Sequence, residues 1–209
     1  MRVLSIVSER PNIEMVEIWL LLSFYSLCLN RRHSAYSLAG SAIRVAIIMG
    51  LHLDIPESQL SDVCEREHRN RVWWTAYTLD RMWATKLGYP YAIRDDEIEV
   101  DLPSDRAISD DNSASDFPDS GYLVARIGLA RMSEHIIYSI YGKKTQQVSL
   151  SQRVQEAFRG LRQWMDELPT YLQIDSKDES DVDPRIRSLH LLFNQACIDP
   201  LSKPCVTCY

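Results

Sequence analysis

Apolar residues return every three or four positions over six stretches of the chain, and polar stretches separate them. Each such stretch reads as a helix, because that spacing lines one face of a 3.6-residue turn. No segment alternates with period two between hairpin turns, so no strand is expected. The first helix is expected over about 13–29, after Pro11-Asn12. It holds the longest apolar run, Ile18 to Leu29. A membrane span needs roughly 20 apolar residues, so this run reads as a buried helix and no membrane association is expected.

The second helix is expected over about 35–49, with Ser34 as N-cap and Gly50 as its stop. Ala35, Ala39, Ala42 and Ala46 fall on one stripe. Leu38, Val45 and Met49 flank the stripe on one side, Ile43 and Ile47 on the other. Only a strip with Ser37, Ser41 and Arg44 is polar. This pattern predicts a mostly buried helix that a neighbour approaches closely. The third helix starts at Ser61 or Asp62 and ends at Leu87, with Gly88 and Pro90 beyond. Its early turns pair Glu65 with Arg69 and Glu67 with Arg71 at i,i+4. Its later turns carry a wide apolar arc that includes Val72, Trp73, Tyr77, Leu79, Trp83 and Leu87.

A long loop follows, over about 88–120, rich in Ser and Asp towards its end. Further helices are expected over about 122–141, 150–168 and 184–198, with an acidic linker at 175–183. The organisation predicted is a short lead at 1–12, one domain over 13–198 and an irregular tail at 199–209. The fold class predicted is all-α, with antiparallel helix pairs packed around one core and long acidic loops between them.

Charge narrows the partners. The net charge is −6, and the basic footprint of a nucleic-acid binder is missing. Arg66, Arg69 and Arg71 alternate with acids, so their face is expected to be solvated and not a DNA stripe. The five cysteines are odd in number and irregularly spaced, which argues against a secreted disulfide framework. Two of them lie in apolar helical patterns and are expected to be buried, reduced thiols. The apolar stretch at the N-terminus is too short for a signal peptide.

Several residues carry candidate chemistry. Asp80 projects between Trp73 and Leu87, inside the apolar arc, where an unpaired carboxylate would be very costly. A buried ion pair or cap that locks helices together is therefore expected ahead of a catalytic or ligand-binding carboxylate, with Arg44 or His52 as candidate partners. Arg81 lies beside Trp74 and is expected to serve a second interface, to stack on an aromatic ring, or simply to be exposed. Trp73, Trp74 and Trp83 read as core anchors ahead of a ligand-stacking site. Asp95-Asp96-Glu97-Ile98-Glu99 matches the Asp-Asp-x-x-Asp/Glu pattern of all-helical terpene synthases, which hold magnesium with such carboxylates. Here it sits in a loop with no second metal motif, so a solvated acidic loop is expected. Cys205-x-x-Cys208 has zinc-like spacing, but one pair does not complete a tetrahedral site. His33, His52, His68, His135 and His190 are scattered, and no catalytic order stands out.

One ordered set of motifs goes further. Ala42-Ile43-Arg44-Val45-Ala46 leads to Gly50-Leu51-His52, then to Glu67-His68-Arg69-Asn70-Arg71-Val72-Trp73-Trp74. Tyr77, Leu79-Asp80-Arg81, Leu87-Gly88-Tyr89-Pro90, Ile93, Asp95 and Leu102-Pro103 follow. Together they resemble the fungal-specific transcription factor domain, also called the xylanolytic activator regulatory region, of zinc binuclear cluster regulators. The resemblance is densest from Ala35 to Pro103 and continues weakly to Leu189–Gln195. It implies a nuclear regulatory region that is not an enzyme. Expected partners are transcription machinery, co-regulator proteins or a small-molecule effector. It also implies that zinc and DNA are bound by a six-cysteine cluster that would precede this region and is not in this sequence, so no cofactor is expected in the chain itself. The chain reads as truncated at both ends. The alternative reading is an interaction-only remnant that dimerises with an intact regulator or titrates its partners.

Overall fold

The computed structural model describes residues 11–105, 119–141, 148–174 and 183–202. Six α-helices are present among them: α1 (Ile13–Cys28), α2 (Arg32–Ile48), α3 (Val63–Leu87), α4 (Ser120–Tyr141), α5 (Leu150–Asp166) and α6 (Pro184–Ser202). The all-α class holds, and the described residues contain no strand. The packing does not gather on one core, however. The chain divides into two compact units, Met1–Pro118 and Asp119–Tyr209, each with its own buried cluster. Cys205 and Cys208, the acidic linker up to residue 182 and the Ser- and Asp-rich end of the long loop lie outside the described residues.

The first unit is a three-helix layer in which α1 and α2 form a hairpin and both pack on α3. Asn12 caps α1 by accepting from the Met15 N–H at 3.0 Å. Asn30 ends the helix in a left-handed conformation, φ 56°. That turn lets the Arg31 N–H reach the Ser26 carbonyl at 2.8 Å and the Asn30 N–H reach Leu27 at 2.7 Å, so the last carbonyls of α1 are satisfied. Because the turn closes so tightly, α2 begins at Arg32, and Ser34 lies inside its first turn without capping it.

Ala35, Ala39, Ala42 and Ala46 are all fully buried, and their small side chains let α1 and α3 come close to α2. The expectation of a buried α1 fails on one side. Val16, Leu20, Ser23 and Ser26 face inward, whereas Leu21 is 69% and Tyr25 60% exposed. Ile18, Leu22, Phe24 and Leu29 are exposed as well. One hairpin partner and one further helix cover only one stripe of a helix that is apolar nearly all round. Cys28, at the end of α1, is likewise exposed and not buried.

Asp62 caps α3 by accepting from the Cys64 and Glu65 N–H groups at 2.9 and 3.2 Å. Gly88 closes it at φ 71°, a conformation that a side chain would strain. In the second unit α4 packs against α5 and α6. Ser149 caps α5, which ends at Asp166, before Pro169. Gly128 on α4 lies where an added Cβ would meet Trp164 Nε1 at 3.1 Å, so its lack of a side chain admits that ring. Trp164 in turn stacks on Phe193 of α6, with centroids 5.7 Å apart. The last helix does not stop before Asp199-Pro200 but runs on to Ser202.

Candidate functional site

The motif residues gather on α3 and on the segment that follows it. Residues 89–105 double back along α3 as a strap, with one 3-10 turn at Asp95–Glu97. Apolar burial alone would leave this strap weakly held, since most of its residues are exposed. Polar side chains of α3 fasten it instead.

Arg81 is the central fastener. It is only 1% exposed, so the exposed reading of this residue does not hold. Its Nη2 donates to the Ile93 carbonyl at 2.7 Å and to Asp95 Oδ1 at 2.8 Å. Its guanidinium lies over the Tyr77 ring, 3.9 Å from the centroid, and within 5.0 Å of that of Tyr91. The Tyr77 hydroxyl donates to the same Asp95 Oδ1 at 2.8 Å. Asp95 is thus drawn inward, while Asp96 pairs with Arg94 in solvent at 2.7 Å. The acidic run is therefore a structural turn and not uniformly solvated.

Asp80 is also 1% exposed. Its Oδ2 accepts from the Ala92 backbone N–H at 3.0 Å and from Arg81 Nη1 at 3.5 Å. Neither Arg44 nor His52 hydrogen-bonds it. The strap supplies the close donor because Ala92 passes over α3 at that level, whereas Arg44 stays exposed on α2. Burial raises the Asp80 carboxyl above the usual aspartate range; the Ala92 bond, Arg81 and the field of Arg44 oppose it. The other oxygen, Oδ1, is buried with no hydrogen-bond partner among the described residues. His52 holds the far end of the strap through its main chain. Its carbonyl accepts from the Glu99 and Val100 N–H groups at 2.9 and 3.1 Å. Its ring packs on Trp73, with centroids 5.6 Å apart.

All three tryptophans of α3 are essentially inaccessible. Trp74 Nε1 donates to the Asp101 carbonyl at 2.8 Å, another strap contact. Trp83 Nε1 donates to Ser23 Oγ at 3.0 Å, and Ser23 Oγ donates on to the Ala35 carbonyl at 2.8 Å. This relay ties α3 to α1 and α2 through buried polar atoms.

The arginine face of α3 is not solvated as its charge pattern predicts. Arg71 and Glu67 are buried together at 2.6 Å, and Arg71 also reaches Asp105 at 2.6 Å. Glu67 Oε1 accepts from the Ser104 N–H at 3.1 Å, and burial raises its carboxyl despite Arg71. Arg69 donates to the Met49 carbonyl at 3.2 Å, and Arg66 donates to that of Leu60. The i,i+4 pattern identified the Glu67–Arg71 pair but not that the strap would cover it. The Glu65–Arg69 pair it also suggested does not form among the described residues, because Arg69 turns to the Met49 carbonyl. Tyr77 was legible as part of the apolar arc, though not as a hydroxyl donor, whereas Ser23, Ala92 and Asp105 were not singled out from the sequence. Only Ser23 left a trace, as a hydroxyl in an otherwise apolar stretch of α1.

A cleft of about 90 Å³ opens beside the strap. Its walls include Leu51 and Leu60 from the α2–α3 connection and Val100 from the strap. Arg66, Arg69 and Asn70 of α3 line it, and Asp54 and Asp101 stand around it.

This geometry belongs to the part of the chain that matches a known family. Residues 2–166 match the fungal specific transcription factor domain. The chain belongs to that family. It is 31% identical over 161 residues to Protein STB5 of Saccharomyces cerevisiae, covering 75% of this chain and 21% of that protein. It is 29% identical over 201 residues to Activator of stress genes 1 of the same yeast, covering 90% of this chain and 20% of the relative. It is 31% identical over 104 residues to Zn(2)-C6 fungal-type transcription factor FTF2 of Fusarium oxysporum, covering 46% of this chain and 10% of that protein. The chain thus spans no more than about a fifth of the length of these relatives. No solved structure matches it. In this member of the fungal transcription factor domain family, the motif set from α2 to Pro103 acts as a clasp that holds the strap to α3. No helix among the described residues is long and apolar enough to cross a membrane.

Proposed function

We propose that these residues form the regulatory region of a fungal transcription factor and work in the nucleus, while DNA is read elsewhere, by a zinc cluster outside the 209 residues. The observation that carries this reading is the direction of the α3 arginines. Arg66, Arg69, Arg71 and Arg81 all donate into their own unit, to backbone carbonyls or carboxylates. A DNA-reading helix would instead present such residues to phosphates and base edges. The net charge of −6 supports the same reading. In this proposal the chain holds no zinc or other cofactor and catalyses no reaction. It passes the state of a small-molecule effector, or of a co-regulator protein, to the transcription machinery by shifting between conformers.

Two measurements test it. The chain fused to a heterologous DNA-binding domain should change the output of a matched reporter. In a gel shift the chain alone should leave promoter DNA unshifted at physiological salt. Tight, sequence-specific retardation would overturn the proposal.

A second reading, binding to an intact regulator, draws on the exposed apolar residues of α1. It calls for co-purification with a tagged full-length family member, and for loss of that association in Leu21→Glu.

A further inference from the structure

We infer that the cleft between the strap and the start of α3 is a binding site for a small zwitterion, an α-amino acid. The inference deepens the regulatory reading and rests on it for the site's role.

Its charges are mixed and unspent. Among the described residues neither Arg66 nor Arg69 forms an ion pair. Each gives its Nη2 to one backbone carbonyl, which leaves its other N–H groups to spare. The Asp54 and Asp101 carboxylates form no ion pair or hydrogen bond among the described residues either. Asn70 lines the same cleft, 8% exposed, and its Oδ1 is buried with no hydrogen-bond partner among the described residues. A buried acceptor left open is costly and calls for a donor.

A simple anion in this cleft would meet two aspartates, and a simple cation would meet two arginines. A ligand that carries both charges meets each with its opposite. Its carboxylate would take N–H groups of Arg66 and Arg69 in charge-assisted bonds. Its ammonium would donate to the two aspartates and to Asn70 Oδ1. Size agrees with this chemistry. A cleft of about 90 Å³ is far below the roughly 300 Å³ of a drug-sized site, but it holds a few non-hydrogen atoms. The buried Leu51 provides an apolar wall for the Cα and a short side chain.

Calorimetry on the 209-residue chain tests the inference with glycine and alanine as probes, against acetate and methylamine as half-ligands. Saturable binding of one molecule of glycine or alanine is expected, with each half-ligand at least about tenfold weaker. Asp54→Asn changes an exposed side chain outside the clasp, so it should leave the unfolding midpoint in place and weaken the amino acid about tenfold. Three results would overturn the inference: no heat from either amino acid with a folded chain, acetate binding as tightly as glycine, or Asp54→Asn binding like the parent. A chain that binds no amino acid yet still moves the reporter loses the site and keeps the regulatory reading. A chain that binds glycine while the reporter stays unmoved keeps the site and loses that reading.

Discussion

Arg81 and Asp95 stand fourteen positions apart in the chain and meet at 2.8 Å, one from the C-terminal half of α3 and the other from the turn of the strap. The guanidinium is buried and the carboxylate half-exposed. Desolvation therefore falls mainly on the arginine, which offsets it with the Ile93 carbonyl, Asp80 and two aromatic faces. The clasp is a device for holding irregular backbone against a helix, where few apolar contacts are available.

Replacing this arginine is expected to be costly even when charge is kept. Arg81→Lys retains the cation but loses the planar fork that bonds Ile93 and Asp95 together. Urea unfolding should show a loss of about 2–3 kcal/mol, and about 3–5 kcal/mol for Arg81→Ala, which leaves Asp80 without its cation. Hydrogen exchange should rise first at the Ala92 and Val100 amides, since these belong to the strap. Unchanged stability in Arg81→Lys would remove the clasp from this account.

Asp80 gives the fold a pH dependence of definite sign. Its folded-state carboxyl is raised above the ordinary value of 3.8, so the folded chain takes up a proton before the unfolded chain does. Stability from this group is therefore gained as pH falls from the raised value towards 3.8, and lost as pH rises back through it. Asp80→Asn cannot titrate and should lack that gain. The stability difference between parent and variant should shift in the parent's favour on acidification through this window. A difference that stays flat, or moves the other way, would contradict the raised carboxyl.

The relay from Trp83 through Ser23 to Ala35 should behave as one unit. Ser23→Ala strands the buried indole N–H and should cost about 1–3 kcal/mol. Trp83→Phe removes that donor along with part of the ring's packing. In the double variant the stranded donor no longer exists, so the two losses should fall short of additive by roughly 0.5–3 kcal/mol. Additive losses in a double-mutant cycle would mean that the two side chains do not communicate.

The alanine stripe of α2 should tolerate no growth. Ala39 packs on Ala35 and Trp83 with no exposure, so Ala39→Leu should cost about 1–3 kcal/mol or more through overpacking. Ile48, on the same helix but 72% exposed, is a control: Ile48→Ala should stay within about 0.5 kcal/mol. Thermal unfolding of the two variants side by side would decide it.

The sequence by itself determined the six helices, because each carries apolar residues at helical spacing, and some carry readable caps or stops such as Asn12, Asp62 and Gly88. It also determined the alanine stripe, and the need for a partner at Asp80, since a carboxylate inside an apolar arc has to be satisfied. Periodicity says which residues share a face, but not what lies opposite that face. Tertiary structure alone decided that α1 keeps Ile18, Leu21, Phe24 and Tyr25 exposed and that the buried clusters fall into two units. It also decided that the partner of Asp80 is a backbone amide of the strap and not a side chain of α2. The same limit applies to α3: Glu67 and Arg71 read as a solvent-facing pair until the strap is laid over them. Irregular backbone has no period, so the segment that turns this helix into a clasp leaves no hydrophobic pattern in the chain.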